Sequence, residues 1–78
     1  MTYREKLIAF GLNIAYYRKL RRFTQEKLAE ISNISVSTIQ KLENSNLYTG
    51  ASLEMICKLA SALQVTESDL LDFRTAPK

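Results

Sequence analysis

The chain has 78 residues, with 11 Lys and Arg against 8 Asp and Glu and a formal net charge of +3; the length fits one domain and the charge suits a polyanionic partner. Apolar residues make up 46% of it, enough for a core and too many for a disordered chain. With no His and one Cys, it can build neither a His-dependent triad, nor a Cys/His zinc site, nor an internal disulfide.

Two Gly and one Pro favour long regular segments. The apolar spacing predicts five helices and no strand. The first runs from about Tyr3 to Arg21, with Leu7, Phe10, Ile14 and Tyr17 as its inward stripe. Thr24 caps the second, from about Gln25 to Ser32, which turns Leu28 and Ala29 inward and carries Glu26 in its first turn. Asn33 follows, a residue that tolerates positive φ, and Ile34 plugs the core. Ser35 caps the third helix, from about Val36 to Glu43, with Ile39 and Leu42 inward. Asn44, Ser45 and Asn46 end it, because all three are poor helix formers.

Leu47 to Ala51 reads as a loop. Ser52 caps the fourth helix, whose inward residues are Leu53, Ile56, Ala60 and Leu63, with Cys57 a buried, inert thiol and Val65 a plug. Thr66-Glu67-Ser68-Asp69 resembles a capping box that starts a short fifth helix holding Leu70 and Leu71. One domain is expected over 1–78, with its core at about 5–73 and a frayed tail at 74–78. The N-terminal MTYREKL lacks the apolar region of a signal peptide, and no apolar run approaches the ~20 residues of a membrane span. A cytoplasmic protein with no membrane contact is expected.

The stretch TQEKLAEISNISVSTIQKLEN, Thr24 to Asn44, is the most informative. Two short helices across so tight a break form a helix-turn-helix, whose second helix can enter the DNA major groove. Charge is lopsided: between Glu5 and Glu26 there is no acid, while Lys6, Arg18, Lys19, Arg21 and Arg22 fall there. That suits either a face presented to phosphate or an ordinary solvated face. No Gly-rich phosphate loop appears, and the carboxylates are scattered beside bases. Neither an enzyme, nor a cofactor, nor a metal, nor a small-molecule ligand is indicated.

Taken together, Asn13-Ile14, Arg18, Thr24-Gln25-Glu26, Leu28-Ala29, Ile34-Ser35, Ile39, Leu42-Glu43-Asn44, Ser52-Leu53, Leu63-x-Val65 and Leu70-Leu71 resemble the lambda-repressor-like, Cro/cI-type or XRE family. The resemblance covers about Phe10 to Leu71. It implies an all-α, compact five-helix bundle that binds double-stranded operator DNA, usually as a homodimer, and most often as a repressor. Gln25 would touch a phosphate and brace a recognition side chain, or be an ordinary exposed helix start. Thr24, Ser35, Thr38 and Asn44 would lie near phosphate.

In the third helix Val36 would press on a thymine methyl, or belong to the core. Ser37 would bond either base type and Lys41 would donate to guanine. Gln40 would meet adenine, meet a phosphate, or be solvated. Arg18 and Glu43 would form an internal salt bridge, unless Arg18 faces phosphate. The dimer surface would run from Leu63 through Val65 to Phe73, although Phe73 could instead be a lid on the monomer core. Three positions depart from the family pattern: Ser45 to Tyr48 replaces a commonly basic loop, Arg22 stands where relatives often have Gly, and Asn33 replaces Gly in the turn. Two other uses of the fold remain open: a protein-interaction module such as an antitoxin or anti-repressor, and a transcriptional activator.

Overall fold

The computed structural model describes residues 1–44 and 50–74. Among the described residues five helices follow in order: α1 (Tyr3–Leu20), α2 (Gln25–Ser32), α3 (Val36–Glu43), α4 (Leu53–Leu63) and α5 (Glu67–Leu70). No strand occurs among the described residues. Expectations for Ser45 to Thr49, including the end of the third helix at Ser45 and Asn46 and the start of the loop, lie outside the described residues. So does the tail beyond Arg74.

Every helix opens on a hydroxyl cap. Thr2, Thr24, Ser35, Ser52 and Thr66 each accept a hydrogen bond from the backbone N–H three residues on. Such a cap satisfies an N–H that has no partner inside the helix. At α1 and α5 the box closes. Glu5 accepts from the Thr2 N–H at 2.8 Å, and Asp69 accepts from the Thr66 N–H at 3.0 Å. Asp therefore does the work of the usual Glu or Gln in the second box.

Three helix junctions share one plan. Arg22, Asn33 and Gln64 sit at φ of 62°, 59° and 59°. The residue after each donates its N–H back across the helix end: Phe23 to the Arg18 carbonyl, Ile34 to Ala29 and Val65 to Ala60. This is the Schellman arrangement, in which one left-handed residue turns the chain and the next apolar residue drops onto the helix end. Phe23, Ile34 and Val65 all pack against the core. A hydroxyl cap then follows at once, at Thr24, Ser35 and Thr66. Left-handed residue, plug and cap occupy three consecutive positions, so each pair of helices is joined with almost no free loop.

The core gathers Phe10, Ile14, Leu28, Ile39, Leu42, Leu59, Leu63 and Leu70. α1 packs on α3, α4 and α5, while α2 packs on α3 and α4. Gly11 is what lets α1 and α3 meet. A Cβ at Gly11 would overlap the backbone carbonyl of Leu42. Asn13, buried beside it in sequence, donates its Nδ2 to the carbonyls of Leu70 at 2.9 Å and Asp72 at 3.2 Å. It thereby ties the end of α5 to α1.

Three of the four residues expected inward on α4 are so placed: Ala60 and Leu63 are buried and Ile56 packs against the core. The helix's inward arc is centred on Leu59 and Leu63, flanked by Met55, Ile56, Ala60 and Ala62. Leu53 was expected inward but is 73% exposed, because it lies six residues from Leu59 at the edge of that arc, in the helix's first turn. Cys57 was expected buried but is exposed. It stands two residues from Leu59, hence on the opposite side of the helix. α5 is shorter than expected: Leu71 caps it rather than belonging to it, and is 42% exposed while Leu70 is fully buried.

Candidate nucleic-acid interface

α3 is locked on one side and open on the other. Ile39 and Leu42 are buried, with 0% and 6% exposure. Val36, Thr38 and Glu43 are half-buried at the flanks, and Ser37, Gln40 and Lys41 are exposed. The spacing of Ser37, Gln40 and Lys41, at i, i+3 and i+4, puts them on one face of the helix. Ser35 and Thr38 bracket its start: the Ser35 Oγ donates to Thr38 Oγ1 at 2.8 Å and accepts the Thr38 N–H at 3.2 Å. Asn44 closes the helix with its N–H on the Gln40 carbonyl and stays exposed.

The far end of α3 is fastened to two other helices. Arg18 Nε donates to Glu43 Oε2 at 2.8 Å, and Arg18 Nη2 to Glu43 Oε1 at 3.0 Å. Both side chains are largely out of solvent, at 12% and 7% exposure. Arg18 Nη1 reaches the Phe23 carbonyl at 2.8 Å, and Gln25 Nε2 donates to Glu43 Oε1 at 3.1 Å. One carboxylate thus gathers the last turn of α1, the first residue of α2 and the last residue of α3. The pair sets geometry; its net worth in stability is a separate matter, because desolvation offsets the attraction.

The expected site residues therefore divide. Thr24, Ser35, Ser37, Gln40, Lys41 and Asn44 are exposed, and Val36 and Thr38 are half-buried beside them. Gln25 is half-buried and directed onto Glu43, so within the chain its amide braces the salt bridge. At the other end of the molecule, Leu63 is fully enclosed in the chain's own core, which removes its side chain from the expected dimer surface. Val65 and Phe73 are partly buried and pack against that core.

The basic run divides too. Arg18 is turned inward, and Arg21 donates Nε to the Leu63 carbonyl at 2.8 Å and Nη2 to the Gln64 carbonyl at 3.1 Å. Arg21 thus caps the C-terminal end of α4, where free carbonyls favour a cation. The sequence reading missed this role, as it missed those of Asn13 and Gly11. A lone Asn between Leu12 and Ile14 was the available signal for Asn13. Nothing local in the sequence marks Arg21, whose partners lie more than forty residues away.

Among the described residues no group of three His, Cys, Asp or Glu is placed to hold a metal ion, and no helix is long and apolar enough to cross a membrane.

Comparison with known proteins agrees with this geometry. A helix-turn-helix family model, HTH_3, matches residues 14–70. Among solved structures, the restriction-modification controller protein C.AhdI from Aeromonas hydrophila superposes with a TM-score of 0.76 at 31% identity, covering 82% of this chain and 94% of that one. No curated protein matches the chain. An open, polar helix face held by a buried frame is what a groove-reading helix requires, and the match spans both helices of the turn and the frame around them. The chain belongs to the Cro/cI-like, XRE-type helix-turn-helix family of DNA-binding transcriptional regulators, which are not enzymes.

Proposed function

We propose that this regulator is a sequence-specific repressor that binds a double-stranded operator as a homodimer, with residues 36–43 lying in the major groove. The observation that carries the reading is the exposed face of Ser37, Gln40 and Lys41 on a helix whose opposite face is buried and whose end is clamped through Glu43. Lys41 donates to guanine O6 or N7, Ser37 bonds either base type, Gln40 meets adenine or a phosphate, and Val36 touches a thymine methyl from the flank. Thr24, Ser35, Thr38, Asn44 and the N-terminal turn of α2 meet phosphate, with Gln25 held in place by Glu43. In the dimer, the stretch from Val65 to Phe73 contributes the contact, with the exposed Leu71 as its apolar residue. Two half-sites then fall about 34 Å apart or at a multiple of that. The protein acts in the cytoplasm, on DNA.

Replacing Lys41 with Ala tests this. Base preference at one position of each half-site should relax, at a cost of about 1–3 kcal/mol, while the fold is unchanged. Undiminished base preference in the variant would take base reading away from Lys41, whereas absence of base preference in the wild type would favour a protein partner, as for an antitoxin or anti-repressor. Placement of the operator relative to the promoter, read by transcription in vitro, separates repression from activation.

A further inference from the structure

Five of the ten Lys and Arg among the described residues are already engaged. Arg18 holds Glu43, Lys27 holds Glu30, Lys58 pairs with Glu54, Arg74 with Asp72, and Arg21 caps α4. Among the arginines of the described residues, Arg4 and Arg22 have no partner there. They differ in position. Arg4 lies in the first turn of α1. Arg22 adjoins the clamp: the Phe23 carbonyl, the next one along the chain, accepts from the same Arg18 guanidinium that grips the end of α3. Two residues beyond Arg22, Thr24 caps α2, and Gln25 reaches Glu43.

The position of Arg22 is therefore fixed against the reading helix while its side chain is exposed. Its backbone is settled by the Schellman turn, with its own N–H on the Lys19 carbonyl at 2.9 Å. A further feature of the sequence gives this free cation a use. Residues 44–50, which continue from the end of α3, contain neither Lys nor Arg. Beyond Lys41, a cationic grip on the DNA backbone beside the end of α3 comes from another segment.

We propose that Arg22 supplies that grip, donating its guanidinium to a backbone phosphate at the edge of the α2–α3 face. The proposal rests on the DNA-binding reading and adds one contact to it. The contact carries charge and position without sequence information, since phosphate is the same at every base pair. Phosphate neutralisation releases condensed counterions, so it has a signature in salt dependence that a structural role lacks.

The test compares wild type with Arg22→Gly, Arg22→Lys and Lys58→Ala. Lys58 lies on α4, paired with Glu54 and outside both the α3 face and the Val65–Phe73 stretch, and serves as the charge control. Binding is measured from low to high salt on two probes: a duplex selected by the wild type from a randomised pool, and a mixed-sequence duplex of equal length. Arg22→Gly should melt no lower than wild type, because Gly adopts φ of 62° freely. It should nevertheless bind about five- to tenfold more weakly per protomer near 0.1 M salt, with the slope of log K against log salt shallower by about 0.9 for each protomer bound. The loss should be equal on both probes. Arg22→Lys should retain the slope and Lys58→Ala should leave it unchanged. An unchanged slope in Arg22→Gly, or an equal change in Lys58→Ala, would overturn the proposal while leaving DNA binding intact. Failure of the wild type to bind either duplex would overturn both.

Discussion

The guanidinium of Arg18 grips both carboxylate oxygens of Glu43, at 2.8 and 3.0 Å, across 25 residues of sequence. This ties the end of the reading helix to the helix that begins the chain, and Gln25 joins on the same carboxylate. Removing one partner leaves the other charge largely buried and unpaired. Glu43→Ala should therefore destabilise the fold by about 3 kcal/mol. Urea unfolding of Glu43→Ala, Arg18→Ala and the double variant should give a coupling of about 1–3 kcal/mol. A coupling near zero would show that the two side chains do not act together.

Gly11 and Leu42 set how closely α1 and α3 approach. The obstacle to a side chain at Gly11 is backbone, which cannot rotate aside. Gly11→Ala should cost about 1–3 kcal/mol, despite Ala's better helix propensity. Because the strain falls at Leu42, next to Glu43, operator affinity should drop further than the loss of folded protein explains. Thermal melts and binding titrations on the same samples separate the two effects.

Asn13 holds the carbonyls of Leu70 and Asp72, beyond which the last described residues run to Arg74. Asn13→Ala leaves two acceptors without their donor, at a cost of about 1–3 kcal/mol. Amide exchange should show the first loss of protection at residues 70–74 rather than in α3. Uniform loss of protection would contradict a local tie.

Gln64 has the same left-handed backbone as Arg22, at the end of α4 and outside the reading face. Its carbonyl serves as an acceptor for Arg21, a role that Gly retains. Gln64→Gly should raise stability by up to about 1 kcal/mol and leave DNA binding unchanged. A fall in stability would mean that the Gln64 side chain makes a contact outweighing backbone relief.

Tyr17 has its pKa raised above the ordinary 10.0, first by burial and then by the negative charges of Asp69, Tyr16 and Asp72. A raised folded pKa means that the native state keeps this proton where the unfolded chain has begun to lose it. Stability contributed by Tyr17 is complete below its ordinary pKa and is lost as pH rises above it toward the folded value. Tyr17→Phe should therefore lose less stability than wild type as pH rises through 10 and beyond. Identical alkaline slopes would contradict the shift.

Much of this architecture is legible in the sequence because its signals are local. Thr24, Ser35, Ser52 and Thr66 announce helix starts by residue type, and Asn33 announces a left-handed turn. Arg22 and Gln64 adopt the same backbone without announcing it, since neither residue type favours positive φ. On α4, Leu53 and Cys57 were misplaced because its composition is apolar on more than one side. Leu53 and Cys57 satisfy a helical spacing as well as Leu59 does, and tertiary packing alone selects among them. Asn13, Gly11 and Arg21 act on partners far along the chain, which no local pattern encodes. The open face of α3 was legible because Ile39 and Leu42 fix which side is inward, leaving Ser37, Gln40 and Lys41 outside.

The most direct test of the central claim is selection of bound duplexes from a randomised pool at near-physiological salt, followed by sequencing. A repressor that reads DNA as a homodimer through Ser37, Gln40 and Lys41 predicts an enriched inverted repeat with half-site centres about one helical turn, or a multiple of it, apart. Enrichment of no sequence, with weak and steeply salt-dependent binding alone, would contradict sequence-specific reading by α3.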